Sequence, residues 1–239
     1  MPLFTILTLF PEALEPYLAT GILGIAREKG LCEVQLVDFR DWTRDRHRTV
    51  DDRPFGGGPG MVLKPEPIVE CVEWVEKRWG EHRKFALCPA GKPFRQETAE
   101  QFADLDSVML ICGRYEGFDQ RIFELLPIEP LSVGDYVLAG GELPALSVLE
   151  ASVRLLPGAL GDERSALEDS FRENGGLDHP HFTRPRNYRD LEVPEVLLSG
   201  DHQAIERWRS EQARRRTETR RPDLTSQTES SNDPPNGKS

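Results

Sequence analysis

Cysteine is scarce in this chain, and its four copies form no metal-binding pattern. Cys32, Cys71, Cys88 and Cys112 lie far apart, without a Cys-x-x-Cys pair and without a histidine at ligand spacing. Disulfide-rich scaffolds and zinc ribbons are therefore excluded, and we expect free thiols in a reducing compartment.

Long hydrophobic runs are also missing. Residues 1–10 are apolar but carry no basic flank and are far too short to span a bilayer. We therefore expect a cytoplasmic protein with no membrane partner. After Thr217 the sequence is dominated by Ser, Thr, Pro, Asn and charged residues, which predicts a disordered tail over residues 218–239.

The common nucleotide and hydrolase motifs are absent as well. The Gly56–Gly60 segment lacks the lysine and hydroxyl of a phosphate-binding P-loop, and no Gly-x-Gly-x-x-Gly follows the first apolar run. No Gly-x-Ser-x-Gly or His-Glu-x-x-His occurs either. His179 and His181 flank Pro180, and a turn or substrate contact suits them better than a zinc site made of these two alone.

Charge leaves the question of a nucleic-acid partner open. The formal net charge is −11, which argues against polyanion binding. Residues 207–221, however, hold seven arginines against two glutamates. A second basic cluster, residues 40–53, is offset by five aspartates between Asp38 and Asp52.

Short apolar runs that alternate with helical patterns predict an α/β fold with a mostly parallel sheet covered on both faces. The predicted strands are Phe4–Leu9, Val34–Phe39, Lys84–Leu87, Val108–Cys112 and Ile128–Val133. The predicted helices cover 12–28, a stretch from about Glu66, 96–103, 119–126, 143–156, 194–198 and 201–216, the last with Asp201 as N-cap.

Glycine loops follow the last three predicted strands, at Pro89-Ala90-Gly91, Gly113–Gly117 and Gly134–Gly141. Ligands of open α/β sheets bind beyond the carboxyl ends of the strands, so three such loops in succession indicate one shared crevice. Glycine lets a ligand approach the main chain, and the loop over residues 132–144 is the richest of the three.

The order and spacing of the motifs resemble those of the bacterial tRNA (guanine-N1)-methyltransferases, the TrmD family of SPOUT methyltransferases. The resemblance covers nearly the whole chain outside the tail. The matching stretches are Phe10-Pro11-Glu12, His47–Asp52, Gly56–Met61, Gly113–Gly117, Ser132–Pro144, Asp169-Ser170-Phe171, Pro180–Pro185 and Val193–Gly200.

That resemblance implies transfer of a methyl group from S-adenosyl-L-methionine to N1 of guanosine 37, beside the anticodon of tRNA. It implies a SPOUT-type sheet with a deep trefoil knot at the cofactor site and an obligate homodimer with active sites between subunits. We therefore expect a methyltransferase domain over 1–160, a linker over 161–176, and a small α-helical tRNA-binding domain over 177–217.

The resemblance also implies individual roles. Asp169 would be the general base that removes the N1 proton, and Arg154 would stabilise charge on guanine O6. Glu116 would face either the sulfonium or a Mg²⁺ ion. The resemblance assigns no residue as a dedicated metal ligand. The residues expected to bind the cofactor are Leu87, Pro89, Gly113, Glu116, Val133, Gly134, Asp135, Tyr136, Val137, Leu138, Gly140 and Gly141.

The sequence departs from the family at a few positions. Ala86, Cys88 and Ala90 stand where a larger residue, a hydroxyl and often Gln are expected, so only main-chain contacts are carried over for this loop. Phe182 replaces a usual Tyr. Three alternatives remain: a non-catalytic RNA-binding protein, a knotted methyltransferase acting elsewhere on RNA, and an unrelated nucleotide-binding enzyme that uses Gly56–Gly60.

Overall fold

The computed structural model describes residues 1–161, 169–171 and 175–225. By internal contacts the chain divides into two compact units, residues 1–163 and 164–239. The predicted linker, residues 161–176, falls mostly outside the described residues, as do residues 226–239 of the predicted tail.

The first unit is built on a five-stranded sheet whose strand pairs are all parallel. We number the sheet strands β1 (Leu3–Thr8), β2 (Glu33–Asp38), β5 (Arg83–Pro93), β6 (Ser107–Cys112) and β7 (Ile128–Ser132), in the spatial order β2-β1-β6-β5-β7. β3 (Asp51–Asp52) and β4 (Val62–Leu63) form a separate antiparallel pair. The predicted mostly parallel α/β sheet is confirmed.

Helices cover both faces of this sheet. They are α1 (Pro11–Leu18), α2 (Gly21–Glu28), α3 (Pro65–Trp79), α4 (Gln96–Ala103), α5 (Arg121–Leu125) and α6 (Glu142–Val153), with a 3-10 turn at Phe39–Trp42. Successive strand residues enter opposite cores, because side chains alternate across a strand. Leu110 of β6 packs in the core under α1, α2, α4 and α6, whereas Met109 and Ile111 pack in the core under α3.

Several predicted elements in this unit are wrong at their bounds; the helix predicted over 143–156, for example, ends at Val153. The predicted helix over 12–28 is two helices, separated at Ala19 and Thr20. The β5 strand does not end at Leu87: its pairing with β7 breaks after Leu87 and resumes at Lys92. Residues 88–91 form the resulting bulge rather than a loop beyond the strand, since the chain continues along the same partner.

In the described part of the second unit the long helix is α7 (His202–Arg220), and a small hairpin of β8 (Asn187–Tyr188) and β9 (Leu191–Glu192) precedes it. The helix predicted over 194–198 is wrong, because that segment forms a 3-10 turn (Glu195–Leu198). The predicted N-cap is confirmed, because the Asp201 carboxylate accepts hydrogen bonds from the N–H groups of Gln203 and Ala204. The helix continues four residues past its predicted end, through the first three residues of the predicted tail.

Among the described residues, no helix is both long and apolar enough to cross a membrane.

Candidate functional site

Three chain segments meet at one place: the bulge within β5 and the loops that follow β6 and β7. The N–H of Gly141 donates to the carbonyl of Gly113 at 2.9 Å, and Arg114 forms an antiparallel bridge with Gly140. The loop after β7 is thereby fixed against the end of β6. The shared crevice that the glycine loops predicted is formed by these contacts.

The crevice is a cavity of about 230 Å³. Of the residues expected to bind the cofactor, all except Asp135 line it. Its lining residues are Leu87, Cys88, Pro89, Gly113, Arg114, Tyr115, Glu116, Gly117, Phe118, Leu131, Ser132, Val133, Gly134, Tyr136, Val137, Leu138, Ala139, Gly140, Gly141 and Pro144.

Glycine is required where the backbones approach most closely. A Cβ on Gly141 would lie 2.7 Å from the Cα of Cys112, and one on Gly91 would lie 2.2 Å from the backbone nitrogen of Leu131. Real Cβ atoms do not come this close to backbone atoms, which cannot swing away as a side chain can. These two glycines let the segments around the cavity pack main chain against main chain.

Two tyrosines border the cavity. The Tyr136 ring lies over Gly134, where a Cβ would come within 2.5 Å of it. Tyr115 holds a positive φ of 57°, an uncommon conformation for a residue other than glycine. Such strained backbone concentrates at functional sites, and here it lies in the β6 loop that lines the cavity.

Glu116 is positioned by Gly60 and Met61, at the end of the glycine-rich loop. The N–H of Glu116 donates to the carbonyl of Met61 at 2.9 Å. A Cβ on Gly60 would lie 2.2 Å from the Glu116 carboxylate, so the missing side chain leaves room for that carboxylate. The glycine-rich loop therefore supports a residue of the β6 loop, a contact that sequence spacing alone did not indicate.

An ionic cluster that includes the cavity residue Arg114 and a buried glutamate was missed by sequence analysis. Glu142 is only 6% exposed, and its Oε1 accepts a hydrogen bond from the Thr8 hydroxyl at 2.8 Å. Its Oε2 lies 2.9 Å from Nη2 of Arg114 but is not aligned for a hydrogen bond. Arg114 also lies over the Phe10 ring, 4.5 Å from its centroid. The sequence feature that could have indicated this cluster is Glu142 itself, an acidic residue at the start of the otherwise largely apolar α6.

The two expected catalytic residues belong to different units. Arg154 is the partly buried residue that caps the carboxyl end of α6. Asp169 is exposed, and its carboxylate accepts a hydrogen bond from the N–H of Ser170 at 2.9 Å. The Ser170 hydroxyl in turn accepts from the N–H of Asp178 at 3.0 Å, which ties the Asp169 turn to the following segment.

The four cysteines are free thiols, as predicted. Burial raises the pKa of Cys112 well above its usual value and raises that of Cys88, although backbone N–H groups at Ala90 and Gly91 oppose the second shift. Both thiols therefore stay protonated at neutral pH. They line or adjoin the cavity as small apolar groups rather than as nucleophiles.

The basic cluster at residues 40–53 is largely compensated. Arg40 and Arg48 contact Asp38, and Arg44 contacts Glu70. On α7, by contrast, Arg207 and Arg215 are exposed, and Arg214 pairs with Glu218 one turn away. The second unit is the better candidate for a polyanion surface.

Comparisons with known proteins all match one family of enzymes. A family model described as tRNA (Guanine-1)-methyltransferase TrmD matches residues 3–227. The chain is 51% identical over 219 residues to a protein of Bacillus subtilis (strain 168), covering 91% of this chain and 90% of the relative. It is 52% identical over 224 residues to one of Rhodopirellula baltica, covering 92% and 93%. Both relatives are named tRNA (guanine-N(1)-)-methyltransferase.

Proposed function

The chain belongs to the TrmD family of tRNA (guanine-1)-methyltransferases, and from this premise we propose that it methylates N1 of guanosine 37 in tRNA with S-adenosylmethionine as donor. Its activity class is tRNA guanine-N1 methylation. The observation that supports the finer assignment is the cavity between the bulge of β5 and the loops that follow β6 and β7, which all but one of the residues matched to the cofactor site line.

The residues present fit such a donor. Gly140 and Gly141 line the cavity without side chains, and a Cβ on Gly140 would lie 2.2 Å from Nε of Arg114. Glu116 brings a carboxylate to the cavity, suited to a sulfonium or to Mg²⁺. When bound, S-adenosylmethionine supplies an electrophilic methyl group. The chain's own residues orient that group and leave the loop backbone free to hold the adenine.

Asp169 is the proposed base. N1 of guanine carries a proton at neutral pH, so its lone pair must be released before methylation. An exposed aspartate is a weak base, and closure of the site around Asp169 by tRNA and a second subunit would strengthen it by desolvation. The Arg154 guanidinium is proposed to stabilise the negative charge that then develops on O6.

The knot and the homodimer are also proposed. Main-chain packing of Gly91 on Leu131 and of Gly141 on Cys112 supports a tightly threaded set of loops. Tyr136, Val137 and Leu143 are 58%, 85% and 65% exposed around the cavity, which supports burial of this region by a second copy of the chain.

Methyl transfer to a tRNA transcript with guanosine at position 37, read by reverse-transcription stops, tests the proposal. N1 methylation blocks Watson–Crick pairing, so a stop at 37 locates the product. Asp169→Asn should reduce the rate by at least about a hundredfold while S-adenosylhomocysteine still binds. Glu206→Gln, which removes an exposed carboxylate from α7, is the matched control and should retain full activity.

Other results would select among the alternatives. Incorporation without a stop at 37 would indicate another atom or nucleotide. Binding of both substrates without incorporation would favour a non-catalytic RNA-binding protein, and full activity of Asp169→Asn would remove Asp169 as the base.

A further inference from the structure

The second unit holds a cluster of possible metal ligands, Asp178, His179 and His181. Their ligand atoms lie within 4.8 Å of one another. Sequence spacing gave only the two histidines around Pro180, and two imidazoles alone make a poor site. The fold adds the carboxylate that completes a set of three.

Each side chain is already oriented toward the others. Nε2 of His181 lies 2.8 Å from Oδ2 of Asp178, and Nε2 of His179 lies 3.8 Å from Oδ1 of the same carboxylate. Nδ1 of His179 lies 3.2 Å from the Pro180 carbonyl. When Nδ1–H donates to that carbonyl, Nε2 keeps its lone pair on the side facing Asp178. Metal-binding histidines are commonly fixed by such a second hydrogen bond.

The backbone that carries the cluster is anchored to α7. Nη1 of Arg216 donates to the carbonyls of Asp178 and His179 at 3.1 and 3.2 Å. The N–H of Leu177 donates to the Thr217 hydroxyl at 2.9 Å. These contacts hold the ligand-bearing turn from its backbone side. The guanidinium engages carbonyl oxygens and not the Asp178 carboxylate, whose Oδ1 accepts a hydrogen bond from the N–H of His179 at 2.6 Å and whose Oδ2 faces His181.

We propose that Asp178, His179 and His181 bind one divalent transition-metal ion, with Zn²⁺ the best fit. Two imidazole nitrogens and one carboxylate suit Zn²⁺, whereas Mg²⁺ prefers a shell of oxygens. His181 is 70% exposed, so water completes the coordination. The ion replaces the hydrogen bond between His181 and Asp178 and fixes the turn. The inference rests on these three side chains and does not depend on the proposed methyl transfer.

Zinc binding to the full-length chain tests the site. The protein is stripped with a chelator, dialysed and titrated with Zn²⁺ at neutral pH, with excess Mg²⁺ as a competitor. We expect one Zn²⁺ per chain that Mg²⁺ does not displace. His181→Ala and Asp178→Asn should each weaken binding about tenfold or more, because even outer-sphere changes cost that much at metal sites.

His202→Ala is the matched control, since it removes an exposed imidazole at the start of α7 and should leave binding unchanged. All variants keep the four cysteines, which could also bind Zn²⁺, so differences in zinc affinity between the variants come from this cluster. His181→Ala should also fold normally, which far-ultraviolet circular dichroism without zinc checks.

Equal zinc affinity of the wild type and His181→Ala would place the ion elsewhere and overturn the proposal. So would the absence of zinc uptake, which would leave an ordinary hydrogen bond between His181 and Asp178. Neither readout involves methyl transfer, so failure here is distinct from failure of the proposed function.

Discussion

At the scale of single residues, buried polar side chains distinguish this molecule from a simple apolar core. Thr8 pairs with Glu142, and Thr5 of β1 pairs with His82, which lies just before β5; each pair is within hydrogen-bonding distance. A buried polar group costs free energy unless it is paired, so each pair is sensitive to loss of one member.

Glu142→Ala should destabilise the protein by about 2 kcal/mol. The change leaves the buried Thr8 hydroxyl without its acceptor and Arg114 without its counter-ion; partial exposure of Arg114 limits the loss. Denaturant unfolding measures the free energy. Glu142→Gln keeps the shape and an acceptor oxygen and should lose less. Equal losses for the two variants would contradict the role assigned to the Thr8 contact.

We expect His82 to lower the free energy of unfolding as the pH falls. Burial lowers the pKa of His82, although the Gly80 carbonyl at 2.7 Å and Glu76 oppose that shift. The unfolded chain therefore binds the proton more readily, and stability is lost as the pH falls from about 6.5 toward the lower folded pKa.

One titrating group can change the free energy of unfolding by at most about 1.4 kcal/mol for each pH unit. Unfolding free energies of the wild type and His82→Gln, compared between pH 7.5 and 5, measure it. A wild-type curve no steeper than that of the variant would show that His82 does not titrate with unfolding.

At the scale of elements, the cavity depends on an interruption within β5 and on the loops that follow β6 and β7. The apolar runs predicted the strands, but the bulge at residues 88–91 depends on contact with Leu131 of β7. No local pattern specifies such a contact, because it joins residues 40 apart in sequence.

Gly91→Ala should destabilise the first unit by about 3 kcal/mol, at the upper end of overpacking costs, because its Cβ would collide with backbone at 2.2 Å. Binding of S-adenosylhomocysteine should weaken as well, since the bulge borders the cavity. Chemical denaturation and titration calorimetry measure the two effects. Gly161→Ala is the matched control, because nothing lies within 4 Å of its Cβ position. Similar stability of the two variants would argue against the close approach.

At the scale of the whole molecule, the net charge is acidic, but one segment is strongly basic. The net charge is −11, yet α7 carries most of an arginine-rich segment and exposes Arg207 and Arg215. Binding of tRNA must therefore work locally, by phosphate contacts that overcome an unfavourable long-range field.

Arg207→Gln and Arg215→Gln should each weaken tRNA binding and reduce the slope of log affinity against log salt by about 1. Filter binding or fluorescence anisotropy over a salt series measures both. Arg44→Gln is the comparison, since Arg44 already pairs with Glu70 and should change the slope little. A larger effect of Arg44→Gln would move the tRNA surface to the first unit.

The sequence by itself determined the class of fold, the parallel strands, the Asp201 cap and the glycine loops after β6 and β7, because hydrophobic periodicity, capping and glycine act locally. Its motifs also indicated the family to which the chain proved to belong. Tertiary structure alone decided that Gly60 makes room for Glu116, that Glu142 pairs with Thr8 and Arg114, and that Asp178 joins two histidines. Each of these arrangements depends on where distant backbone segments meet, and that is fixed by packing of the whole chain rather than by any short pattern.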